Sequence, residues 1–212
     1  MATTTPNYGW AVPTSTDLVK DGATAIETLG DAIDASMNTA LGTKKAGMVL
    51  LNTTSFSGVT AQSFNNVFTS AYENYRVIIR GTSNTSLQTI QLRLRASGTD
   101  ASGASYDRMG LQTQNNAATL TAMNQSGQTS IGMFIIDNAN PTYTGVALDI
   151  IAPQLARVTN FLMQATQVES GVVYHRAIGG IHAVASAYDG FSLINAGSVN
   201  FAATVSIYGY NF

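Results

Sequence analysis

The chain has 212 residues, room for one good-sized domain or one domain plus a tail. Only 10% of them are charged, for a net −2, against about 25% in an ordinary soluble domain, so no basic excess exists to displace counterions from phosphates and a nucleic-acid partner is excluded. There is no cysteine, which excludes disulfides, thiolate catalysis and thiolate metal sites.

Residues 1–16 read as an extended arm. Pro6 and Pro13 push their preceding residues out of helical space, and a Thr/Ser-rich run surrounds Trp10, the only tryptophan. Tyr8 and Trp10 on so polar an arm either tuck onto the next segment of the same chain or anchor the arm to a partner, as aromatics do at interfaces.

Residues 17–46 read as a helix and linker. Thr14 and Asp17 have capping-box spacing, and Asp17 and Asp21 suit the positive end of a helix dipole. Val19, Ile26, Ile33 and Ala40 recur every seven residues, with Gly22, Leu29 and Ser36 between them, a seam of two to three heptads with one weak row. Gly42 suits the helix end, and Lys44 and Lys45 its negative dipole. The internal Gly22 and Gly30 each cost about 1 kcal/mol relative to alanine. A helix so short and so narrow in its apolar stripe does not persist alone in water. It packs either on the chain's own sheet or on copies of itself, and self-association is the expectation adopted, with Val19, Gly22, Ile26, Leu29 and Ile33 as the helix core. Asp17, Asp21, Glu27, Asp31 and Asp34 face a lone Lys20 over 17–34, so a larger C-terminal domain has to hold the copies together.

From 47 to 212 the apolar period switches to two. Strands are expected at 48–52, 75–80, 87–97, 108–112, 131–137, 146–151, 160–165, 172–178, 191–194 and 199–208. In the third, alternation turns Ile90, Leu92 and Leu94 inward and Arg93 and Arg95 outward. Gly-, Asn- and Ser-rich connectors separate these runs and no internal repeat occurs. The expected fold is mainly β: an antiparallel, jelly-roll-like β-sandwich preceded by an extended N-terminal arm and a short trimerising helix. Roughly a third of the chain is Thr, Ser, Asn or Gln, an uncharged polarity suited to β-rich surfaces.

The longest apolar run, 131–136, falls far short of the ~20 residues of a membrane helix. The first ten residues lack the basic and apolar regions of a secretion signal. Delivery to the outside of a cell is therefore expected by another route, such as a virion released by lysis.

Catalytic and metal chemistry find no pattern. His175 and His182 stand seven apart with no carboxylate cluster beside them, and are expected to be hydrogen-bonded structural histidines; a metal on a trimer axis is the alternative. Glu73, Asp100, Asp107, Asp137, Asp149, Glu169 and Asp189 fall mostly in expected turns, where Asp is a turn former, rather than as a convergent pair for glycoside hydrolysis. No nucleophile elbow, phosphate loop or dinucleotide fingerprint occurs. No catalytic residue, cofactor or metal site is assigned.

The arrangement of Thr3-Thr-Thr-Pro-Asn-Tyr-Gly-Trp10 followed by the Pro13–Ile33 segment resembles the N-terminal part of a group of fibre proteins of tailed bacteriophages. The remainder is similar to their compact β-domain through Tyr75-Arg-Val-Ile-Ile79, Leu92-Arg-Leu-Arg-Ala-Ser-Gly98 and Val205-Ser-Ile-Tyr-Gly-Tyr210. The resemblance implies a homotrimer on the virion exterior, made in the host cytoplasm without a signal peptide. Its N-terminal part, with Pro6, Tyr8, Gly9, Trp10 and Pro13, would attach to tail, baseplate or capsid proteins, and its C-terminal part would face outward. No long shaft separates the two, so the fibre would be short. The expected function is non-enzymatic recognition of a host-surface component, a glycan or protein, by loops carrying Tyr106, Asn115, Asn116, Gln125, Asn138 and Tyr143, whose amides and rings suit sugars. The rival readings are a purely structural capsid or baseplate decoration protein and a polysaccharide depolymerase.

Overall fold

The computed structural model describes residues 3–14, 18–41, 47–139 and 144–211. The chain divides into two compact units, Met1–Ala46 and Gly47–Phe212.

In the first unit the arm is extended only in part, because it doubles back on itself. Strand β1 (Thr3–Thr4) pairs antiparallel with β2 (Ala11–Val12). The turn between them is closed by Gly9, whose N–H donates to the Thr5 carbonyl at 3.0 Å from a left-handed φ of 66°. A 3₁₀ turn, Val19–Asp21, then leads into helix α1, Gly22–Leu41. Leu18 occupies the cap position of the 3₁₀ turn in an extended conformation, without a side-chain cap bond; Gly22 is the first residue of α1 and Val19 precedes it, so of the two glycines expected inside the helix only Gly30 is internal. Asp17 of the expected capping box, with Gly42, Lys44 and Lys45 at the far end, lies outside the described residues.

The second unit consists of β3 (Val49–Val59), β4 (Ala61–Phe64), β5 (Asn74–Asn84), β6 (Gln88–Ala96), β7 (Thr99–Asp100), β8 (Tyr106–Gln114), β9 (Ala117–Ala122), β10 (Gln125–Gln128), β11 (Ile131–Ile136), β12 (Gly145–Ile151), β13 (Arg157–Glu169), β14 (Val172–Ser186), β15 (Gly190–Asn195) and β16 (Phe201–Tyr210). All pairings are antiparallel. The larger sheet runs β10-β8-β14-β13-β12-β5-β16-β3 with β9 on β8, and the smaller runs β11-β6-β15-β4 with β7 on β6.

Two four-stranded halves, β3-β16-β5-β12 and β4-β15-β6-β11, form a jelly roll in which the chain crosses between sheets at β3–β4, β4–β5, β5–β6, β7–β8, β10–β11, β11–β12, β14–β15 and β15–β16. The long hairpin β13–β14, with β8 to β10, extends the large sheet beyond that frame. Period-two side chains fill the space between the sheets. Tyr75, Val77 and Ile79 of β5, Phe161 and Met163 of β13, Ile90, Leu92 and Leu94 of β6, and Phe191 and Leu193 of β15 are all buried. All ten expected strands are present. The four at β4, β7, β9 and β10 were not anticipated: they are short, and β9 and β10 lie at an edge where no face is buried.

The second unit holds seven arginines, seven carboxylates and no lysine. Arg76–Asp149, Arg95–Asp100, Arg157–Glu73 and Arg176–Glu169 are ion pairs. Arg95 is less outward than expected: its guanidinium is held by Asp100, Ser192 and the Asn65 side chain. Among the described residues, no helix is long and apolar enough to cross a membrane.

Candidate binding surfaces

The helix of the first unit presents its seam unevenly. Val19 is 97% exposed and Ile26 66%, while Gly22, Leu29 and Ile33 are half-buried. The C-terminal part of the seam is met by the arm, since β2 lies against α1 and the Trp10 indole N–H donates to Ser36 Oγ at 3.0 Å. Tyr8 stacks on Trp10 with ring centroids 5.0 Å apart. Of the five arm residues expected to anchor the chain, Pro6, Tyr8 and Gly9 are exposed, and Trp10 and Pro13 are half-buried.

In the second unit the expected recognition residues do not form one site. Tyr106 is a correction: it is 1% exposed. Its hydroxyl accepts from the Leu94 N–H and donates to the Ala101 carbonyl, each at 2.9 Å, and burial pushes the phenol far above its ordinary pKa. It is a core strut beneath the loop, and its ring packs on His182 at 4.3 Å. The loop before it is also tied down, with Thr99 and Asp100 pairing back onto β6. The segment 124–128, expected as a loop, includes strand β10, in which Gln125 lies opposite Arg108. With Gly127, Ser126 and two glutamines, it has no apolar alternation that would have shown it. Tyr143 lies outside the described residues.

Asn115, Asn116 and Asn138 do converge. Asn115 exchanges hydrogen bonds with Val173, N–H to carbonyl at 3.0 Å and Oδ1 from the Val173 N–H at 3.1 Å. Asp137, beside Asn138, accepts from the Ser170 N–H at 3.1 Å. The turn Ser170-Gly171, with φ of 50° and 83°, thus gathers an exposed amide-rich tip at one end of the sandwich, and Asn116 and Asn138 are its outward side chains. Behind the tip lies a braced network. Arg176, nearly buried, donates to Glu169 at 2.6 Å and to Gln112 at 2.7 Å, and Gln167 bridges Glu169 to the Ile135 N–H. The guanidinium pKa is lowered by burial, against which the Glu169 charge acts. Gln125 belongs to the opposite end of β8, about 20 Å away at the usual strand rise.

There the outer face of the large sheet carries an open hollow of about 1040 Å³, lined by Met109, Phe161, Leu162, Gly179 and Ile181 with Asn124 and Gln125 at its rim. Two adjacent glycines at its floor face opposite ways. A Cβ on Gly180 would meet Ile131 Cδ1 at 2.5 Å, so glycine there lets β11 pack closely; Gly179 faces the other way and leaves the outer floor bare. Sequence reasoning passed over this feature, although outward Leu162 between Asn160 and Gln164 was a legible signal.

Each carboxylate of the second unit has a structural partner. Besides the four ion pairs, Asp107 accepts from the Gly127 N–H, Asp137 from Ala139 and Ser170, and Asp189 from Ser97. His175 and His182 share β14 at an odd spacing and so take opposite faces. His175 is exposed, whereas His182 is buried, bonded to the Tyr188 hydroxyl at 3.1 Å, and lowered in pKa by burial. Among the described residues no group of three or more His, Asp or Glu could hold a metal ion. No protein-family model matches the chain, and no curated protein matches it.

Proposed function

We propose that the protein is a short, non-enzymatic, homotrimeric fibre of a tailed phage virion, attached through its arm and recognising a host-surface glycan with its jelly-roll head. The observation that carries this reading is the bare half of the helix seam. Val19, 97% exposed in the 3₁₀ turn, and Ile26, 66% exposed on α1, continue one apolar row, and a helix so narrow in its apolar stripe and interrupted by Gly30 is too weak to persist in isolation. Parallel copies would cover that row. Exposed Pro6 and Tyr8 remain available to a virion partner while Trp10 fixes the arm to its helix.

The head supports recognition rather than catalysis. Its carboxylates hold arginines and backbone amides instead of converging in a cleft. Its tip offers uncharged amides, Asn116 and Asn138, whose hydrogen bonding suits sugar hydroxyls. Three tips on one particle would multiply a weak contact through effective concentration. The test is to incubate the protein with host envelope polysaccharide. Retention that is lost in Asn116→Ala and Asn138→Ala variants supports the reading. Release of oligosaccharide would make it a depolymerase, and neither retention nor release would favour a decoration protein.

A further inference from the structure

We infer that the outer hollow is a second glycan subsite, taking a neutral sugar whose methyl group (N-acetyl or 6-deoxy) enters the gap above Gly179. This rests on the glycan recognition proposed above and adds to it a site at the opposite end of β8 from the tip.

Nothing in the chain itself requires glycine at 179. Its φ lies outside the left-handed region, and a Cβ there would meet only Leu162 Cδ2, at 4.0 Å. Around it β14 keeps regular register with both β13 and β8, so no bulge accounts for it. A glycine inside a strand weakens it, and where neither packing nor a bulge demands one it marks the close approach of a ligand. At about 1040 Å³ the hollow has the size of a small-ligand site.

The register sets its walls. Met109, Gly179 and Leu162 stand side by side on β8, β14 and β13, and the next outward row is Asp107, Ile181 and Asn160. Met109 is 70% exposed and Leu162 58%, so the first row is an apolar notch two strand spacings, or ~10 Å, across. In the second row Asp107 and Asn160 are polar groups at the same separation, and Asn124 and Gln125 close the rim. A methyl fits the notch while hydroxyls of the same sugar meet the rim.

Charge and hydrogen bonding exclude other occupants. Asp107 faces outward with one carboxylate oxygen fixed by the Gly127 N–H at 2.7 Å; it accepts from hydroxyls and repels anions. Arg108 alternates with it and points inward, its guanidinium donating to the Gly132 carbonyl on β11. Exposed Arg80 lies on β5, three strands away and four residues beyond Arg76. No cation therefore answers an acidic ligand here. A hydrocarbon chain would leave the rim unpaired. A peptide would find no backbone partner, because the N–H and C=O groups of the floor are spent in the β8–β14–β13 ladder. A chain of sugars fits further, since Leu162 and Gly179 also line a smaller hollow of about 580 Å³ that runs on to Gln164 and the Arg76–Asp149 pair.

Saturation-transfer NMR on the full chain tests the site, with N-acetylglucosamine, rhamnose, glucose and glucuronic acid as probes. The methyl protons of N-acetylglucosamine or of rhamnose should receive the strongest saturation, glucose should bind about tenfold more weakly, and glucuronic acid should not bind. Gly179→Val fills the notch without a clash and should abolish the methyl signal while the unfolding midpoint holds or rises. Met109→Ala removes an exposed wall instead and should weaken binding severalfold. Methyl saturation at wild-type strength in both variants overturns the site, as do equal binding of glucose, binding of glucuronic acid, or no sugar signal in the wild type. The tip is judged separately. Retention of host polysaccharide that survives Gly179→Val but is lost in Asn116→Ala and Asn138→Ala overturns the hollow and leaves the tip standing, whereas a wild type that retains none overturns the glycan reading as a whole.

Discussion

Trp10 and Ser36, 26 residues apart, are joined by an indole N–H to hydroxyl hydrogen bond of 3.0 Å, which fixes the arm to the helix of its own chain. Ser36 occupies the weak row of the heptad seam, so the arm covers one end of a surface whose other end, at Val19 and Ile26, is bare. Trp10 is the only tryptophan, and its emission reports this docking directly. Ser36→Ala should shift the emission to the red and raise quenching by iodide; an unchanged spectrum would show that the arm does not dock there in solution.

Tyr106 illustrates a residue whose role the fold reassigns. Tyr106→Phe leaves the buried Leu94 N–H and the Ala101 carbonyl without their partner, a loss of about 1–3 kcal/mol. Thermal unfolding should register it, whereas glycan retention by the folded variant should match wild type. Loss of retention at unchanged stability would return Tyr106 to the recognition surface.

The Arg176–Glu169 pair binds β14 to β13 behind the tip, with side chains only 7% and 15% exposed. Glu169→Ala strands a buried guanidinium, and removal of one partner of such a pair costs about 3–5 kcal/mol. Chemical denaturation should show a midpoint far below wild type. A change under 1 kcal/mol would mean that water reaches Arg176.

His182 gives the head a pH dependence. Burial holds its folded pKa below 6.5, so as pH falls through that value the unfolded chain binds a proton before the folded chain does. Stability from this group is complete above pH 6.5 and declines below it, by at most about 1.4 kcal/mol per pH unit. Thermal melts at pH 7.5, 6.5 and 5.5 should show a steeper acid decline for wild type than for His182→Phe. Parallel declines would assign the effect to the carboxylates.

The strands were legible where one face is buried, because Ile90, Leu92 and Leu94 of β6 must alternate with residues of the other face. They were illegible where neither face is buried. Ala117–Ala122 and Gln125–Gln128 pair along the edge of β8 through backbone bonds that leave no side-chain period. The helix was legible from its seven-residue recurrence, but its start was displaced because Val19–Asp21 form a 3₁₀ turn and α1 begins only at Gly22. Of the recognition residues, Asn115, Asn116 and Asn138 come together only through Ser170 and Val173, partners more than thirty residues distant in sequence. The hollow depends on which way Gly179 and Gly180 face, which is set by register with β8 and β13.

The central claim is that the exposed helix row is covered by identical copies. Light scattering on the size-exclusion peak of the full chain measures this without a ligand. The account predicts three times 22.3 kDa, reduced when Ile26→Asp puts a charge on the seam. A wild-type peak at the mass of one chain, with Ile26→Asp indistinguishable from it, would contradict it.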